Sequence, residues 1–170
     1  MPPAVQSGDT TQSSSGRRSM DIDPAFSCTR SLSWEEIHAV SRQLARRLRD
    51  KGPFAGIIAI ARGGLVPAAI LALELDIRQV DTVCIAGYDE STRHDLEVLK
   101  RVQGDGGGWL VVDDLVDTGR TAQAVRDMLP GGHYATLYAK PSGKPMVDTC
   151  VADVEQETWL VFPWEAIEQV

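Results

Sequence analysis

The stretch Trp109-Leu-Val-Val-Asp-Asp-Leu-Val-Asp-Thr-Gly-Arg-Thr121 carries the strongest structural signal in this 170-residue chain. Its first four residues are apolar, as in a buried strand of a parallel sheet. Residues 122–129 place apolar side chains on one helical face, and Pro130-Gly-Gly132 predicts where that helix ends. A strand, a polar loop and a helix in this order indicate an α/β fold. They also put the loop at the sheet edge where open α/β folds bind ligands.

The loop itself has the composition of a phosphate site. Thr118, Gly119 and Thr121 are small and precede the helix, whose unpaired backbone N–H groups favour an anion. Asp113 and Asp114 would repel a phosphate unless they held sugar hydroxyls and a divalent cation that bridges to further phosphate groups. These residues therefore predict a sugar-phosphate site with a cation. The alternative is an ordinary βα turn with solvated acids.

Length and composition limit the other possibilities. A chain of this length fits one domain with a sizeable core, and no apolar run is long enough to span a membrane. The first residues are polar, which argues against a signal peptide. Three widely spaced cysteines suggest neither a disulfide framework nor a zinc site, so a reducing, cytoplasmic location is expected. The net charge of −7 argues against nucleic acid as a partner, although backbone donors can still bind an anionic ligand.

The amino-terminal part divides into two regions. Residues 1–30 are rich in Ser, Thr, Pro, Gly and Gln, so we expect a disordered extension there and a single domain at 31–170. Ser33-Trp-Glu-Glu36 is a capping box, which predicts that a helix begins after Ser33. That helix is expected to end near residue 50. Its predicted buried face comprises Ile37, Val40, Leu44 and Leu48.

A second glycine-rich loop, Ala61-Arg-Gly-Gly64, lies between an apolar strand at 54–60 and a helix at 65–75. The glycine pair permits a close backbone approach, and Arg62 adds a fixed positive charge. This loop is either an anion site or an ordinary turn with a surface arginine. The 117–121 loop downstream favours the anion site. Further strands are expected at 79–86, 96–102 and 134–139, and a polar segment at 87–95 separates the first two.

Val111-Val-Asp-Asp-Leu-Val-Asp-Thr-Gly-Arg-Thr121 resembles the loop that binds phosphoribosyl diphosphate (PRPP) in type I phosphoribosyltransferases. Other stretches resemble more narrowly the bacterial xanthine-guanine phosphoribosyltransferases within that family. They are Ile57-Ile-Ala-Ile-Ala-Arg-Gly-Gly-Leu-Val-Pro67, Val80-Asp-Thr-Val-Cys-Ile85, Leu99-Lys-Arg101, Ala139-Lys-Pro141, Thr158-Trp159 and Pro163-Trp164. The resemblance spans residues 31–164. It implies the type I phosphoribosyltransferase fold: α/β, with a central, mostly parallel sheet flanked by helices, and a small carboxyl-terminal hood at about 140–170.

The resemblance implies a purine salvage transferase that uses Mg²⁺ as its cofactor. Such an enzyme moves the 5-phosphoribosyl group of PRPP to N9 of a 6-oxopurine. The expected bases are guanine and xanthine, with hypoxanthine a poorer substrate, and the products are GMP, XMP or IMP with pyrophosphate. Members of the family are oligomers, commonly homotetramers. Some associate peripherally with the inner membrane, but the sequence offers no physical basis for such an association here.

The resemblance also assigns the residues that contact PRPP. Asp114 is expected to hold the metal ion, and Asp113 and Asp114 the ribose hydroxyls. Arg120 stands where the family often has glycine, so its backbone N–H is the expected contact. Residues 87–95 correspond to a mobile lid, in which His94 occupies the family's arginine position. The expected PRPP-binding set is Arg62, Gly63, Arg93, His94, Asp113, Asp114, Leu115, Val116, Asp117, Thr118, Gly119, Arg120 and Thr121. A cis peptide bond is expected between Ala61 and Arg62.

A second set of residues is expected to bind the purine. Asp117 lies near N7 of the base and is the general acid or base. Lys140 reads the O6 atom and excludes adenine, because a protonated lysine and an amino group are both donors. Trp159 stacks on the ring, and backbone carbonyls of the hood near Leu160 accept from the C2 substituent. Without the resemblance, Lys140 would be an ordinary surface lysine, and Trp159 would fit core packing equally well.

Three other functions are compatible with parts of this pattern. A hypoxanthine-guanine phosphoribosyltransferase would differ only in how it recognises the C2 position. A non-catalytic regulator that senses PRPP would need the phosphate loops but neither Asp117, Lys140 nor a purine hood. A general nucleotide-binding module would explain the 117–121 loop alone and leave the other motifs without a role.

Overall fold

The computed structural model describes residues 27–86 and 96–165. Residues 1–26, which make up most of the predicted extension, lie outside the described residues, as do residues 166–170. The predicted lid at 87–95 with Arg93 and His94 also lies outside them.

The strands build one large sheet and one small sheet. In chain order they are β1 (Cys28–Ser31), β2 (Gly56–Ala61), β3 (Val80–Ala86), β4 (Glu97–Lys100), β5 (Trp109–Val116), β6 (His133–Ala139), β7 (Thr149–Asp153) and β8 (Thr158–Val161). The large sheet has six strands in the order β4-β3-β2-β5-β6-β7. Strand β4 pairs antiparallel with β3, and every other neighbouring pair in this sheet is parallel. The predicted α/β fold with a mostly parallel sheet is confirmed.

Helices cover both faces of the large sheet. They are α1 (Trp34–Leu48), α2 (Leu65–Glu74) and α3 (Arg120–Met128), with short 3-10 helices at Arg49–Lys51 and Lys144–Met146. Helices α1 and α2 pack on one face through Leu44 and Leu71. Helix α3 packs on the other face through Ala122 and Val125. The strands supply both layers because alternate side chains of a strand point to opposite faces.

Helix α1 begins as its sequence predicts. The Ser33 hydroxyl accepts a hydrogen bond from the Glu36 backbone N–H at 3.1 Å, as expected of an N-cap. Ile37, Leu44 and Leu48 are fully buried, and Val40 is half-buried. None of the helices within residues 27–86 and 96–165 is both long and apolar enough to cross a membrane.

Strand β5 is longer than the sequence predicts. The apolar run ends at Val112, but the strand continues to Val116, so Asp113 and Asp114 lie inside it rather than after it. The extension exists because backbone pairing with β6 continues, with Asp113 opposite Thr136 and Val116 opposite Ala139. The loop that follows β5 therefore consists of residues 117–119 only.

The hood differs from its prediction in two ways. The predicted hood includes residues 147–154, but β7 joins the large sheet beside β6, with Ala135 opposite Thr149. The second strand of the hood is β1, which pairs parallel with β8 and places Thr29 opposite Trp159. Residues 28–30 therefore form a strand although their composition predicts disorder. Backbone pairing explains this, because all four β1 residues are exposed and none has a side chain that is buried in the core.

Candidate active site

Three parallel strands bring the expected site together at one edge of the large sheet. Strands β2, β5 and β6 end at Ala61, Val116 and Ala139. The 61–64 loop, the 117–121 loop and Lys140 follow these strands directly. The carboxyl edge of the sheet therefore gathers segments that lie nearly eighty residues apart in the sequence.

The 117–121 loop opens directly into α3. Gly119 occupies the N-cap position with φ 86°, a left-handed conformation that favours glycine. The first backbone N–H groups of α3 follow it, and Thr118 and Thr121 add hydroxyl groups. Residues 115–122 line a cavity of about 110 Å³ together with Asp113 and Tyr134. This combination of a helix amino terminus, hydroxyl donors and a small concave space suits a phosphate group.

The 61–64 loop packs tightly against the centre of the sheet. A Cβ atom added to Gly63 would lie 2.4 Å from Oδ2 of Asp114, and one added to Gly64 would lie 2.2 Å from the carbonyl oxygen of Val112. Both glycines are thus required for the loop to approach β5. The peptide bond between Ala61 and Arg62 is cis, as expected from the resemblance. The Arg62 side chain is exposed at the same edge.

Asp113, which is buried, and Asp114, which is half-buried, form an acid pair beneath these loops. Oδ1 of Asp113 accepts from the Asp114 N–H at 3.0 Å, and the buried Tyr134 hydroxyl donates to its Oδ2 at 3.4 Å. Oδ1 of Asp114 accepts from the Leu115 N–H at 2.7 Å. The hydrogen bond from Tyr134 ties the Asp113 carboxylate to β6. The Asp114 carboxylate instead faces the backbone of Gly63.

Ionisation of this pair is unfavourable in the protein alone. Burial, and then the neighbouring charge of Asp114, raise the pKa of Asp113 well above its usual value. Burial raises the pKa of Asp114 to about 6, and the charge of Glu165 adds to this effect. Burial and the charge of Asp113 likewise raise the pKa of the Tyr134 hydroxyl. A nearby cation would lower the free-energy cost of ionising two adjacent carboxyl groups.

The donor set fits Mg²⁺ better than a metal that takes its ligands from the protein alone. Asp113 and Asp114 offer hard carboxylate oxygens, which Mg²⁺ prefers. In the part of the chain that the structure describes, no group of three or more His, Cys, Asp or Glu residues could hold a metal. A site with one or two carboxylates suits Mg²⁺, which takes its remaining ligands from water and substrate phosphates. Asp114 is the better ligand because Tyr134 already engages Asp113.

Lys140 is not a surface lysine. Its side chain is 1% exposed, and its Nζ atom donates to Oδ2 of Asp117 at 2.8 Å. Its backbone N–H donates to the Val116 carbonyl at 2.9 Å, which fixes the start of the segment after β6 against the end of β5. A buried lysine requires a charged partner, and Asp117 supplies one. The structure therefore brings together the predicted general base and the predicted O6 contact.

Gln156 is a site residue that the sequence does not predict. It lies between β7 and β8, and its Nε2 atom donates to Oδ1 of Asp117 at 2.8 Å. Its Oε1 atom accepts from the Ser142 backbone N–H at 3.0 Å. The only signal in the sequence is its place two residues before Thr158, in the polar link that leads into the hood.

The two hood residues behave differently. Trp159 is 37% exposed, so core packing does not account for it. The Leu160 side chain is 4% exposed and belongs to the main hydrophobic core, so only its backbone could contact a ligand. Aromatic contacts support the base of the hood, since the Phe162 and Trp164 rings stack with centroids 4.7 Å apart.

A family comparison matches this arrangement. The model of the phosphoribosyl transferase domain matches residues 33–168, which is most of the chain. The chain belongs to the phosphoribosyltransferase family. As a phosphoribosyltransferase it is an enzyme, and the prediction of this family from the sequence is confirmed.

Individual relatives agree with this assignment. The xanthine-guanine phosphoribosyltransferase of Desulfotalea psychrophila is 55% identical over 139 residues, which cover 81% of this chain and 87% of that protein. A purine phosphoribosyltransferase from Pyrococcus horikoshii has a similar structure, with a TM-score of 0.71, 30% identity, and coverage of 84% of this chain and 97% of that one. The Helicobacter pylori xanthine-guanine-hypoxanthine phosphoribosyltransferase gives a TM-score of 0.68 at 26% identity, over 81% and 94% of the two chains. This phosphoribosyltransferase therefore has the expected fold.

Proposed function

We propose that this phosphoribosyltransferase transfers the 5-phosphoribosyl group of PRPP to N9 of guanine or xanthine, and less efficiently to N9 of hypoxanthine. The observation that carries the proposal is the ion pair of the buried Lys140 with the half-buried Asp117, at the start of the 117–121 loop. A regulator that only sensed PRPP would have no use for a buried lysine beside a carboxylate at the purine position. The relatives named for xanthine and guanine support the choice of bases.

PRPP binding is assigned mainly to backbone groups. The N–H groups of Thr118, Gly119, Arg120 and Thr121 bind the 5-phosphate at the start of α3, and Leu115 and Val116 shape the floor of this loop. Arg62 and Gly63 face the pyrophosphate, and the predicted lid residues Arg93 and His94 remain part of this proposal. Asp113 and Asp114 hold the ribose hydroxyls, with Asp114 as the Mg²⁺ ligand. The chemistry that a bound Mg²⁺ supplies is neutralisation of charge on the leaving pyrophosphate.

Transfer requires one bond to break and one to form. The bond from C1 of the ribose to the pyrophosphate oxygen breaks, and the pyrophosphate leaves with the electron pair. N9 of the purine then donates its own pair to C1. The base loses a proton from N7 as its charge develops, and the Asp117 carboxylate accepts that proton.

Selection of the base is assigned to Lys140 and the hood. The Lys140 ammonium donates to O6 of an oxopurine, whereas the amino group of adenine would present a second donor and leave both groups unpaired. Trp159 stacks on the ring, and the Leu160 backbone accepts from the C2 substituent. A hypoxanthine-guanine enzyme is the second candidate, because O6 recognition is the same for both bases.

We propose homo-oligomer formation, as a tetramer by resemblance, with the outer face of α2 as one contact. Leu65 and Leu73 are exposed there, and the stretch from Leu65 to Leu73 carries no charge. A second copy of this chain is the occupant we favour, because two copies with a net charge of −7 meet best through an uncharged surface. Leu73→Glu should lower the mass measured by analytical ultracentrifugation, and an unchanged mass would exclude this contact. The cytoplasmic location and the 31–170 domain bounds remain predictions.

A spectrophotometric assay tests the proposed function. The protein would be given PRPP and Mg²⁺ with guanine, xanthine, hypoxanthine or adenine in separate reactions. Turnover of guanine and xanthine above hypoxanthine, with no turnover of adenine, is the expected result. A preference for hypoxanthine would favour the second candidate and leave the mechanism in place. Binding of PRPP without turnover of any base would overturn the enzyme assignment and favour a regulator.

A further inference from the structure

Gln156 joins three separate segments at the active site. Its amide nitrogen donates to Asp117 in the 117–121 loop, and its amide oxygen accepts from Ser142 in the segment after β6. The residue itself belongs to the link between β7 and β8. The orientation of the amide follows from its partners. A backbone N–H can only donate, so Oε1 must face Ser142 and Nε2 must face the carboxylate.

The backbone around Gln156 is held on both sides. The Val154 N–H donates to the Ala139 carbonyl at 3.0 Å, immediately before Lys140. The Thr158 N–H donates to the Glu155 carbonyl at 3.1 Å and closes a turn around Gln156. Gly143 fits this arrangement because a Cβ atom there would lie 2.6 Å from the Asp117 carbonyl oxygen. The Gln156 amide is thus fixed relative to Asp117 by the fold.

The two oxygens of Asp117 have different donors. Oδ1 receives Gln156 Nε2 and Oδ2 receives Lys140 Nζ, each at 2.8 Å. In the proposed reaction Lys140 donates to O6 of the purine while Asp117 accepts the N7 proton. The bond to Lys140 must therefore loosen when the base binds, whereas the bond to Gln156 can remain.

We infer that Gln156 is a positioning residue, which holds Oδ1 of Asp117 so that Oδ2 faces N7 once Lys140 turns to the base. This inference rests on the proposed function. A glutamine suits the task because it is neutral. It donates a hydrogen bond without cancelling the charge that makes Asp117 a proton acceptor. A second lysine would cancel that charge, and a glutamate could not donate.

The chain offers a matched control for this bond. Gln123 Nε2 donates to Asp127 Oδ1 at 2.8 Å on the exposed surface of α3, so the same pair of side chains makes the same bond outside the site. Gln156→Met keeps the length of the side chain and removes its donor. Gln123→Met does the same at the surface. Gln156→Glu is a second variant that keeps the shape and also removes the donor.

Steady-state kinetics with guanine and PRPP test the inference. Gln156→Met and Gln156→Glu should each lower kcat roughly 10- to 100-fold, because the general base is misplaced, and should leave the KM for PRPP within about twofold. Gln123→Met should leave both constants unchanged. In an Asp117→Asn background, Gln156→Met should cause no further fall in kcat, because the Gln156 side chain acts through Asp117.

The opposite results are equally specific. If Gln156→Met lowered kcat by a similar factor in the Asp117→Asn background, Gln156 would only support the hood, and the inference would fail. Unchanged kcat in both Gln156 variants would overturn it as well, while the proposed function stood. If the unaltered enzyme transferred the phosphoribosyl group to no 6-oxopurine, the proposed function would fail and this inference with it.

Discussion

The two halves of the active site are built in different ways. In the proposed site, the phosphate side consists of the 61–64 and 117–121 loops, and each loop is one continuous stretch that joins a strand to a helix. The proposed purine side consists of Lys140, Gln156 and Trp159, which come from the residue after β6, the β7–β8 link and the hood strand β8. Backbone N–H groups and glycines form the first side, whereas side chains from separate segments form the second.

This difference predicts how each side responds to substitution. Side-chain changes on the purine side should alter the choice and reactivity of the base and leave PRPP binding intact. On the phosphate side, the sensitive positions should be those where a backbone would be displaced. The acid pair lies beneath both sides, so we expect its ionisation to be coupled to metal binding there.

Replacement of Lys140 should have the largest effect on catalysis. Lys140→Met removes the O6 donor and leaves Asp117 with its hydrogen bond from Gln156, so kcat/KM for guanine should fall by about 100-fold. The ratio of guanine to adenine turnover should fall as well, because the lysine donor that opposes a 6-amino group is removed. Both are measured in the assay with four bases.

Lys144 provides the control. Its Nζ atom donates to Asp153 Oδ2 at 2.8 Å at the surface, so Lys144→Met removes a similar ion pair outside the site. This variant should keep normal kinetics. If Lys140→Met retained full discrimination against adenine, the assignment of O6 recognition to this residue would be wrong.

Gly63→Ala should mainly affect the phosphate side. The new Cβ atom would lie 2.4 Å from Asp114, so the 61–64 loop must move away from β5. We expect the KM for PRPP to rise about tenfold and the free energy of unfolding to fall by about 1–3 kcal/mol. The KM for guanine should change little, and this separates the two sides in one experiment.

Gly107→Ala is the control for this glycine substitution. There the nearest atom is a side-chain oxygen of Asp105 at 3.2 Å, which can move aside. Gly107→Ala should leave the KM for PRPP unchanged. Equal effects of the two variants on that KM would show that the contact of Gly63 with Asp114 has no special role.

The same contrast explains what the sequence could predict. The 61–64 and 117–121 loops can be predicted from the sequence because each is a short motif, and the helix and strand patterns on either side of it are local. The parallel sheet followed from the alternation of those signals. The sequence predicts the end of β5 too early, because the charged side chains of Asp113 and Asp114 are typical of a loop, whereas backbone pairing with β6 continues past them.

Long-range pairing was the part that could not be predicted. No local pattern in Cys28–Ser31 indicates that it pairs with β8, since all four of its residues are exposed and show no alternation of apolar and polar side chains. Gln156 could not be identified for a similar reason. Its importance depends on two partners, Ser142 and Asp117, that are 14 and 39 residues away in the sequence. The resemblance predicts that Lys140 contacts the purine, and only the structure shows that its side chain is buried.

The acid pair should make stability depend on pH in a direction opposite to that of ordinary salt-bridged acids. The pKa of Asp114 is about 6 in the folded protein, above the ordinary aspartate value of 3.8. The folded state therefore binds more protons than the unfolded state between these values, so Asp114 lowers the stability progressively as the pH rises from 3.8 to about 6 and by a constant amount above that. Without metal or PRPP, Asp114→Asn should be more stable than the unaltered protein at pH 7.5, by about 1–2 kcal/mol.

Chemical denaturation at several pH values measures this difference. The advantage of Asp114→Asn should shrink as the pH falls from 7.5 to 4.5, because the carboxyl group then carries a proton in the unaltered protein. Added Mg²⁺ with PRPP should reverse the order at pH 7.5 by stabilising only the unaltered protein. A variant that is less stable than the unaltered protein at every pH would contradict the raised pKa.

Replacement of Trp159 should have the smallest kinetic effect, and that effect should be confined to the KM for guanine. Loss of an aromatic contact to a bound ring costs about 0.5–1.5 kcal/mol, so Trp159→Leu should raise the KM for guanine by roughly 2- to 12-fold. The KM for PRPP should stay constant, because the 61–64 and 117–121 loops are untouched. Trp34→Leu is the matched control, since Trp34 is exposed and packs on Trp164 with ring centroids 5.9 Å apart. If both tryptophan variants raised the KM for guanine equally, the effect would come from general loosening of the hood, and stacking by Trp159 would not be required.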